Sequence, residues 1–155
     1  MLKLLLCIAV VALCVAFSFL LTQKYRSRMQ FYYNLNLFNE RLINEVSYTR
    51  IPLPAFLEKY PFTGDFKGML EQKKGDFSSE NYSFSYLTED EKKYLADYFR
   101  MIGRSDAASQ RTFLSAARQE LSEKKKSTEE TYKKYFSLYL KLGFLAGLIL
   151  VVLIV

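Results

Sequence analysis

Ile102-Gly-Arg-Ser-Asp106 opens, and Leu142-Gly-Phe-Leu-Ala-Gly-Leu-Ile-Leu-Val-Val-Leu-Ile-Val155 closes, a stretch without proline and without glycine between Gly103 and Gly143. Read as one helix from Asp106, its roughly fifty residues span about 75 Å at 1.5 Å per residue. A small domain needs nothing so long. Only the end is apolar enough for a bilayer, so the rest must stand in water and carry something. Three parts follow from the pattern. Phe113, Leu114, Ala117 and Leu121 form a face for packing on a domain. Ser122 to Thr131 is a polar stalk without an apolar stripe, read as a solvated helix face, the alternative being a surface that binds lipid head groups or a partner. It is supported by acid-before-base pairs four apart, Glu120/Lys124, Glu129/Lys133 and Glu130/Lys134, each worth ~0.2–0.5 kcal/mol. Last comes an anchor whose fourteen uncharged residues from Leu142 cover about 21 Å. If Lys141 snorkels, Leu138 and Leu140 lengthen the buried part.

The other end of the chain is also apolar. From Leu4 to Leu21 there are eighteen residues without a charge, enough to span the hydrocarbon as a helix. The run exceeds a normal signal-peptide core, and no A-x-A site follows before Lys24-Tyr-Arg-Ser-Arg28, so it reads as a retained anchor. Lys24, Arg26 and Arg28 crowd its C-terminal side, and Lys133, Lys134 and Lys141 precede the second anchor. Both flanks therefore place the middle of the chain in the cytoplasm.

Between the anchors the periodicity is helical. Tyr32, Leu35, Phe38, Leu42, Ile43 and Val46 mark one buried face of a helix that continues the first anchor to about Tyr48. Pro52 and Pro54 interrupt it, Pro54 opens a short helix to about Tyr60, and Pro61 closes that helix. Gly64 to Lys73 reads as another, with Phe66, Met69 and Leu70 on one side. Asp76 to Tyr86 reads as a loop or a single helical turn, since a lone strand would have no partner. Thr88-Glu-Asp-Glu91 is a capping box. It opens a helix with Tyr94, Leu95, Tyr98, Phe99 and Ile102 on its apolar face. Gly103 suits a C′ position and Ser105 an N-cap, with Asp106 favourable in the first turn beyond. The predicted architecture is all-α: a small cytoplasmic helical bundle between an N-terminal and a C-terminal transmembrane helix. Residues 1–23 are the first anchor, 24–137 the cytoplasmic domain with the polar stalk 122–131, and 138–155 the second anchor.

Composition argues against chemistry. The chain has no His, so the commonest general base and metal ligand is missing. Cys7 and Cys14 both fall in the first apolar run, leaving no thiol for catalysis or zinc in the soluble part. No catalytic, cofactor-binding or metal site is expected. The carboxylates Asp90, Glu91 and Asp97 are the only material for a hydrolase. They read as lying on the polar side of a capped helix, where dipole and solubility roles suffice. The formal charge of +6 lacks the sharp basic patch of a nucleic-acid binder and fits a segment beside an anionic membrane. Twelve Tyr and thirteen Phe fall mostly at core spacing or, like Tyr132, Tyr135 and Tyr139, where interfacial aromatics belong. The membrane-interface set is Lys24, Arg26, Arg28, Tyr135, Tyr139 and Lys141, with membrane lipids as partners.

Several segments together resemble the stage III sporulation protein AB family of endospore-forming bacteria. They are the opening Met1-Leu-Lys-Leu, Glu45-Val-Ser-Tyr48 with Pro52-Leu-Pro54, Ile102-Gly-Arg-Ser-Asp106 followed by Gln110, and Lys-Lys-Tyr135 to Lys141-Leu-Gly-Phe144. The family more often has Leu-Gly at Ile102-Gly103, and the stretch 76–86 is shorter here. The resemblance implies a component of the mother-cell membrane apparatus that joins mother cell and engulfed forespore. Its cytoplasmic domain would be similar to those of inner-membrane platform proteins of type II secretion and type IV pilus machines. Other stage III channel proteins, including a secretion-type ATPase, are the implied partners, and homo-oligomerisation follows from the platform analogy alone. The expected function is a non-enzymatic platform coupling that ATPase to the membrane complex. The alternative is a membrane-organising adaptor without an ATPase partner. The turn Arg104, Ser105 and Asp106 is the candidate partner-binding face, although a tight helix-to-helix turn alone would also account for Gly103 and Ser105.

Overall fold

The computed structural model describes residues 2–48, 52–73, 82, 84–102 and 107–154. Among these are five helices and no strand: α1 (Leu2–Tyr48), α2 (Leu53–Lys59), α3 (Gly64–Gln72), α4 (Glu89–Ile102) and α5 (Ala107–Ile154). The all-α prediction holds, and α5 is unbroken over 48 residues. Two compact units result. One comprises residues 27–127, the other residues 1–26 with 128–155. The division thus falls inside the predicted stalk, and residues 24–26 and 128–137 group with the apolar ends.

In the unit 27–127, the second half of α1 is the central element. Phe31, Tyr32, Leu35 and Phe38 are at most 1% exposed, the continuous face expected from their three- and four-residue spacing. α4 runs parallel to it: Glu91 meets Arg28 and Tyr32 at one end, and Tyr98 and Phe99 meet Asn39 and Phe38 further along. α5 returns antiparallel, with Leu114 beside Asn39 and Lys124 over the Tyr32 ring. Phe38, Phe56, Phe62 and Phe66 join in a cluster of tilted and edge-on rings with centroids 5.4–5.8 Å apart along its Phe38 contacts. Such pairs add roughly 0.5–1.5 kcal/mol each beyond burial.

Local sequence explains the short elements. Pro52 precedes α2, and its carbonyl accepts from Phe56 N–H at 3.0 Å. A proline in the first turn costs no helical hydrogen bond. Thr63 is the extended N-cap of α3, followed by Gly64 at φ 61, a left-handed conformation glycine adopts without strain. The Asn34 side chain holds this corner to α1. Its Oδ1 accepts from Thr63 N–H at 3.4 Å, and its Nδ2 donates to Gln30 O at 2.8 Å. The capping box of α4 is formed in both directions: Glu91 N–H donates to Thr88 Oγ1 at 3.3 Å, and Thr88 N–H to Glu91 Oε2 at 2.9 Å. Of the stretch 76–86, the described residues 82 and 84–86 are non-helical, with Tyr82 buried and its hydroxyl donating to Leu95 O at 3.2 Å.

In the other unit, the first half of α1 and the last part of α5 form an antiparallel pair. Phe19 packs on Phe136 and Tyr25 on Tyr135, while Gly143 faces Cys14 and Ser18, and Gly147 faces Val11. Each helix is long and apolar enough to cross a membrane. Their outward faces carry Leu13 at 70% and Leu153 at 77% exposure, which suits hydrocarbon. Two such helices fit a membrane protein.

Candidate functional site

Glycine sets the close approach within the apolar pair. A Cβ on Gly147 would stand 3.1 Å from Val11 Cα, and one on Gly143 would stand 2.9 Å from the Cys14 carbonyl oxygen and overlap Ser18 Oγ. Backbone cannot yield as a flexible side chain can, so position 143 admits only glycine at this separation, and a Cβ at 147 would have to push Val11 aside by a few tenths of an ångström. Gly143 and Gly147 are a G-x-x-x-G repeat, the spacing that brings membrane helices together where hydrophobicity cannot. The polar residues beside them are satisfied within their own helix. Ser18 donates to Cys14 O at 3.0 Å, and Thr22 to Phe19 O at 3.0 Å. Both are nearly inaccessible, as hydroxyls in hydrocarbon should be. Cys7 and Cys14 are free thiols on this same helix.

Just beyond the apolar segments the two helices carry a ladder of rings. Tyr25 stacks on Tyr135 at 4.4 Å and 10°, and Tyr135 on Tyr139 at 6.2 Å. Lys24 Nζ lies 5.0 Å from the Tyr25 centroid. Lys24, Arg26 and Lys141 are exposed and Tyr135 and Tyr139 half-buried, so five of the six residues read as membrane-interface lie in this unit. Arg28 does not. It belongs to the unit 27–127, where its Nη2 donates to Glu91 Oε1 at 2.6 Å.

That bond belongs to a buried polar cluster. Glu91 is 7% exposed and also accepts from Tyr32 hydroxyl at 2.8 Å. Burial alone would raise its pKa, but donors from Thr88 N–H, Tyr32 and Arg28 outweigh it and hold the carboxyl below its ordinary value. Burial, reinforced by Glu91, pushes the Tyr32 hydroxyl far up. The expectation that Glu91 lies on the polar side of its helix is therefore corrected. The same side chain closes the capping box and turns inward to receive Arg28. A carboxylate with three donors on it is held ionised and unavailable as a general acid. Asp97, by contrast, lies on the surface with Arg100 at 2.6 Å.

The stalk differs in part from its reading as a solvated face. Lys124 lies 5.8 Å from the Tyr32 ring and 5.6 Å from the Tyr94 ring, and Lys125 lies 5.1 Å from the Tyr33 ring. Their aliphatic stems have aromatic surface to cover, and that attraction decides the placement. Glu129 and Lys133 form the expected pair at 2.7 Å. Arg104, Ser105 and Asp106 lie outside the described residues, as does the whole link 103–106. Gln110 from the same motif donates to Ile102 O at 2.9 Å. It thus satisfies a carbonyl that the end of α4 leaves open and ties α4 to α5.

Sequence reading missed three features. The G-x-x-x-G spacing was present in plain view within an apolar run. Asn39, fully buried, donates to Leu114 O at 3.1 Å and accepts from Tyr98 hydroxyl at 2.8 Å, joining three helices. Lys73 is 1% exposed beneath the Tyr82 ring, with no signal beyond its place at the end of α3.

Fold and site together fit a membrane protein: a helical bundle whose buried polar groups connect helices, and two apolar helices long enough to cross a membrane. The chain belongs to the stage III sporulation protein AB family, whose profile matches residues 3–155. This is a family of structural sporulation proteins, not known for enzymatic activity. Neither a curated protein nor a solved structure matches the chain.

Proposed function

We propose that this protein is a non-enzymatic platform component of the membrane apparatus linking mother cell and forespore, and that it couples a cytoplasmic secretion-type ATPase to the other channel proteins. Family membership, which implies a role in sporulation, supports the setting. The observation that carries the coupling reading is the continuity of α1 and α5. Each runs from an apolar end into the bundle core without interruption. A simple tether needs only one anchor, whereas this chain offers two helices apolar enough to serve.

In this reading the bundle lies in the mother-cell cytoplasm, on the side that the basic flanks favour, and the turn at Arg104, Ser105 and Asp106 is the contact for the ATPase. The decisive experiment replaces Arg104 with Glu in the full-length protein and recovers complexes from sporulating-cell membranes. Loss of the ATPase with retention of the other channel proteins supports the proposal. Unchanged ATPase recovery removes that turn from it. Absence of the ATPase from wild-type complexes favours the adaptor without an ATPase partner. Reporter fusions at both termini test the orientation, with both expected on the far side of the membrane from the bundle.

A further inference from the structure

The formal charge is distributed unequally. All 16 acids lie between Glu40 and Glu130, and the segment 27–130 holds an equal number of basic residues. That segment is formally neutral. The whole excess of +6 resides on Lys3, Lys24, Arg26, Lys133, Lys134 and Lys141. Five of these six follow the first apolar run or precede the second, and no carboxylate side chain occurs in residues 1–26 or 131–155 to neutralise them.

Helix register divides the five by depth. Lys24 and Arg26 flank the Tyr25–Tyr135 stack on one helix, and Lys133 and Lys134 precede it on the other. Lys141 lies between the Phe19–Phe136 contact and the contact of Gly143 with Ser18. At 1.5 Å per residue it is roughly 10 Å deeper than Lys134. Its neighbours at that level are hydrocarbon-facing: Phe17 is 61% exposed and Leu20 64%. Withdrawing this level into water would strand those side chains. Leaving it in the bilayer puts an ammonium below the head groups, farther from the Lys24 level than a lysine stem of about 6 Å reaches.

We infer that this basic collar is a binding site for anionic phospholipid, with Lys141, seven residues from Lys134 and so on the same helix face, drawing the lipid phosphate inward while Lys24, Arg26 and Lys133 face its surroundings. The inference rests on the apolar ends lying in a bilayer and is independent of ATPase coupling, so ATPase recovery and lipid retention can fail separately.

The test uses full-length protein in nanodiscs of mixed phosphatidylglycerol and phosphatidylcholine, followed by mild extraction and native mass spectrometry of retained lipid. Wild type should retain phosphatidylglycerol in preference to phosphatidylcholine. K141Q should lower that preference about fivefold, the effect of one cation near a charged membrane surface. K93Q removes an exposed charge from the neutral segment and should leave the preference unchanged. Unaltered far-UV circular dichroism and denaturation midpoint in K141Q exclude misfolding as the cause. Should K141Q also shift the midpoint, the double variant K133Q/K134Q, outside the apolar level, supplies the same readout. Equal retention of both lipids, wild-type preference in K141Q and K133Q/K134Q, or an equal fall in K93Q would overturn the inference. Displacement of the retained lipid by inorganic phosphate would also overturn it, by showing a general anion site.

Discussion

Glu91→Gln isolates the charge at the centre of the buried cluster while keeping its shape. The carboxylate receives Arg28 at 2.6 Å and Tyr32 at 2.8 Å on one oxygen, and Thr88 N–H at 2.9 Å on the other. The amide retains one acceptor oxygen and turns its NH2 toward one of these donors. Breaking a fully buried pair costs about 3–5 kcal/mol. The Arg28 side chain is 35% exposed, so water takes over part of its solvation and the expected loss is about 2–3 kcal/mol. The assay is denaturant unfolding of the full-length protein in non-ionic detergent, followed by near-ultraviolet circular dichroism of the tyrosines. The pH dependence gives the sign. The folded carboxyl lies below its ordinary value of 4.5, so the stabilisation is fully present above that value and is lost as pH falls through the folded pKa. Wild type and Glu91→Gln should differ most near pH 7 and converge in acid. A difference below about 0.5 kcal/mol at neutral pH, or one unchanged into acid, would refute the account, since an exposed pair is worth about that little.

Gly147→Leu, with Val11 Cα in its way, should separate the apolar helices and reduce resistance to unfolding in micelles by about 1–3 kcal/mol; Gly68→Leu, at a position open to space, should spare that resistance apart from its helix-propensity effect. Asn39→Leu removes the extra bond to the Leu114 carbonyl and leaves the buried Tyr98 hydroxyl without its Asn39 acceptor, and should cost about 1–3 kcal/mol in the same unfolding assay. Deleting residues 124–127 removes Lys124 and Lys125 from their rings and should lower the unfolding midpoint more than deleting 128–131, although both shorten the helix by about a turn. In a spectrophotometric titration, Tyr94, pushed up to about 12 by burial and by Glu120, should remain un-ionised at pH 10, the ordinary tyrosine value. Its contribution to stability, present below pH 10, should be lost as the pH rises through 12; ionisation near pH 10 would contradict its burial.

Periodicity and caps made much of the fold legible. Tyr32, Leu35 and Phe38 could be assigned to one face because helix spacing leaves no other arrangement, and Thr88 with Glu91 marked the start of α4 because both side chains act over a single turn. Glu91 also shows where local reading stops. A capping glutamate has the same sequence signature whether its outer oxygen meets water or a half-buried arginine, and only the tertiary approach of α1 decides between them. Arg28 shows the same limit: it follows Lys24 and Arg26 at even spacing, and its pairing with Glu91 depends on that tertiary approach. Lys124 and Lys125 read as solvated charges because their rings, Tyr32, Tyr33 and Tyr94, are distant in sequence. The candidate partner turn at 104–106 falls outside the described residues. The glycine pair was legible and unread, its spacing hidden within a composition that already sufficed to name an anchor.

That pair also constrains self-association. Glycine faces are the common means by which separate membrane helices dimerise, but here both glycines are occupied by Val11, Cys14 and Ser18 of the same chain. A second copy could use them only by prising the hairpin apart. Any second copy would therefore have to meet this unit through bulky outward residues such as Leu13, Phe17 and Phe144, in a contact that is broad, shallow and exchangeable with lipid.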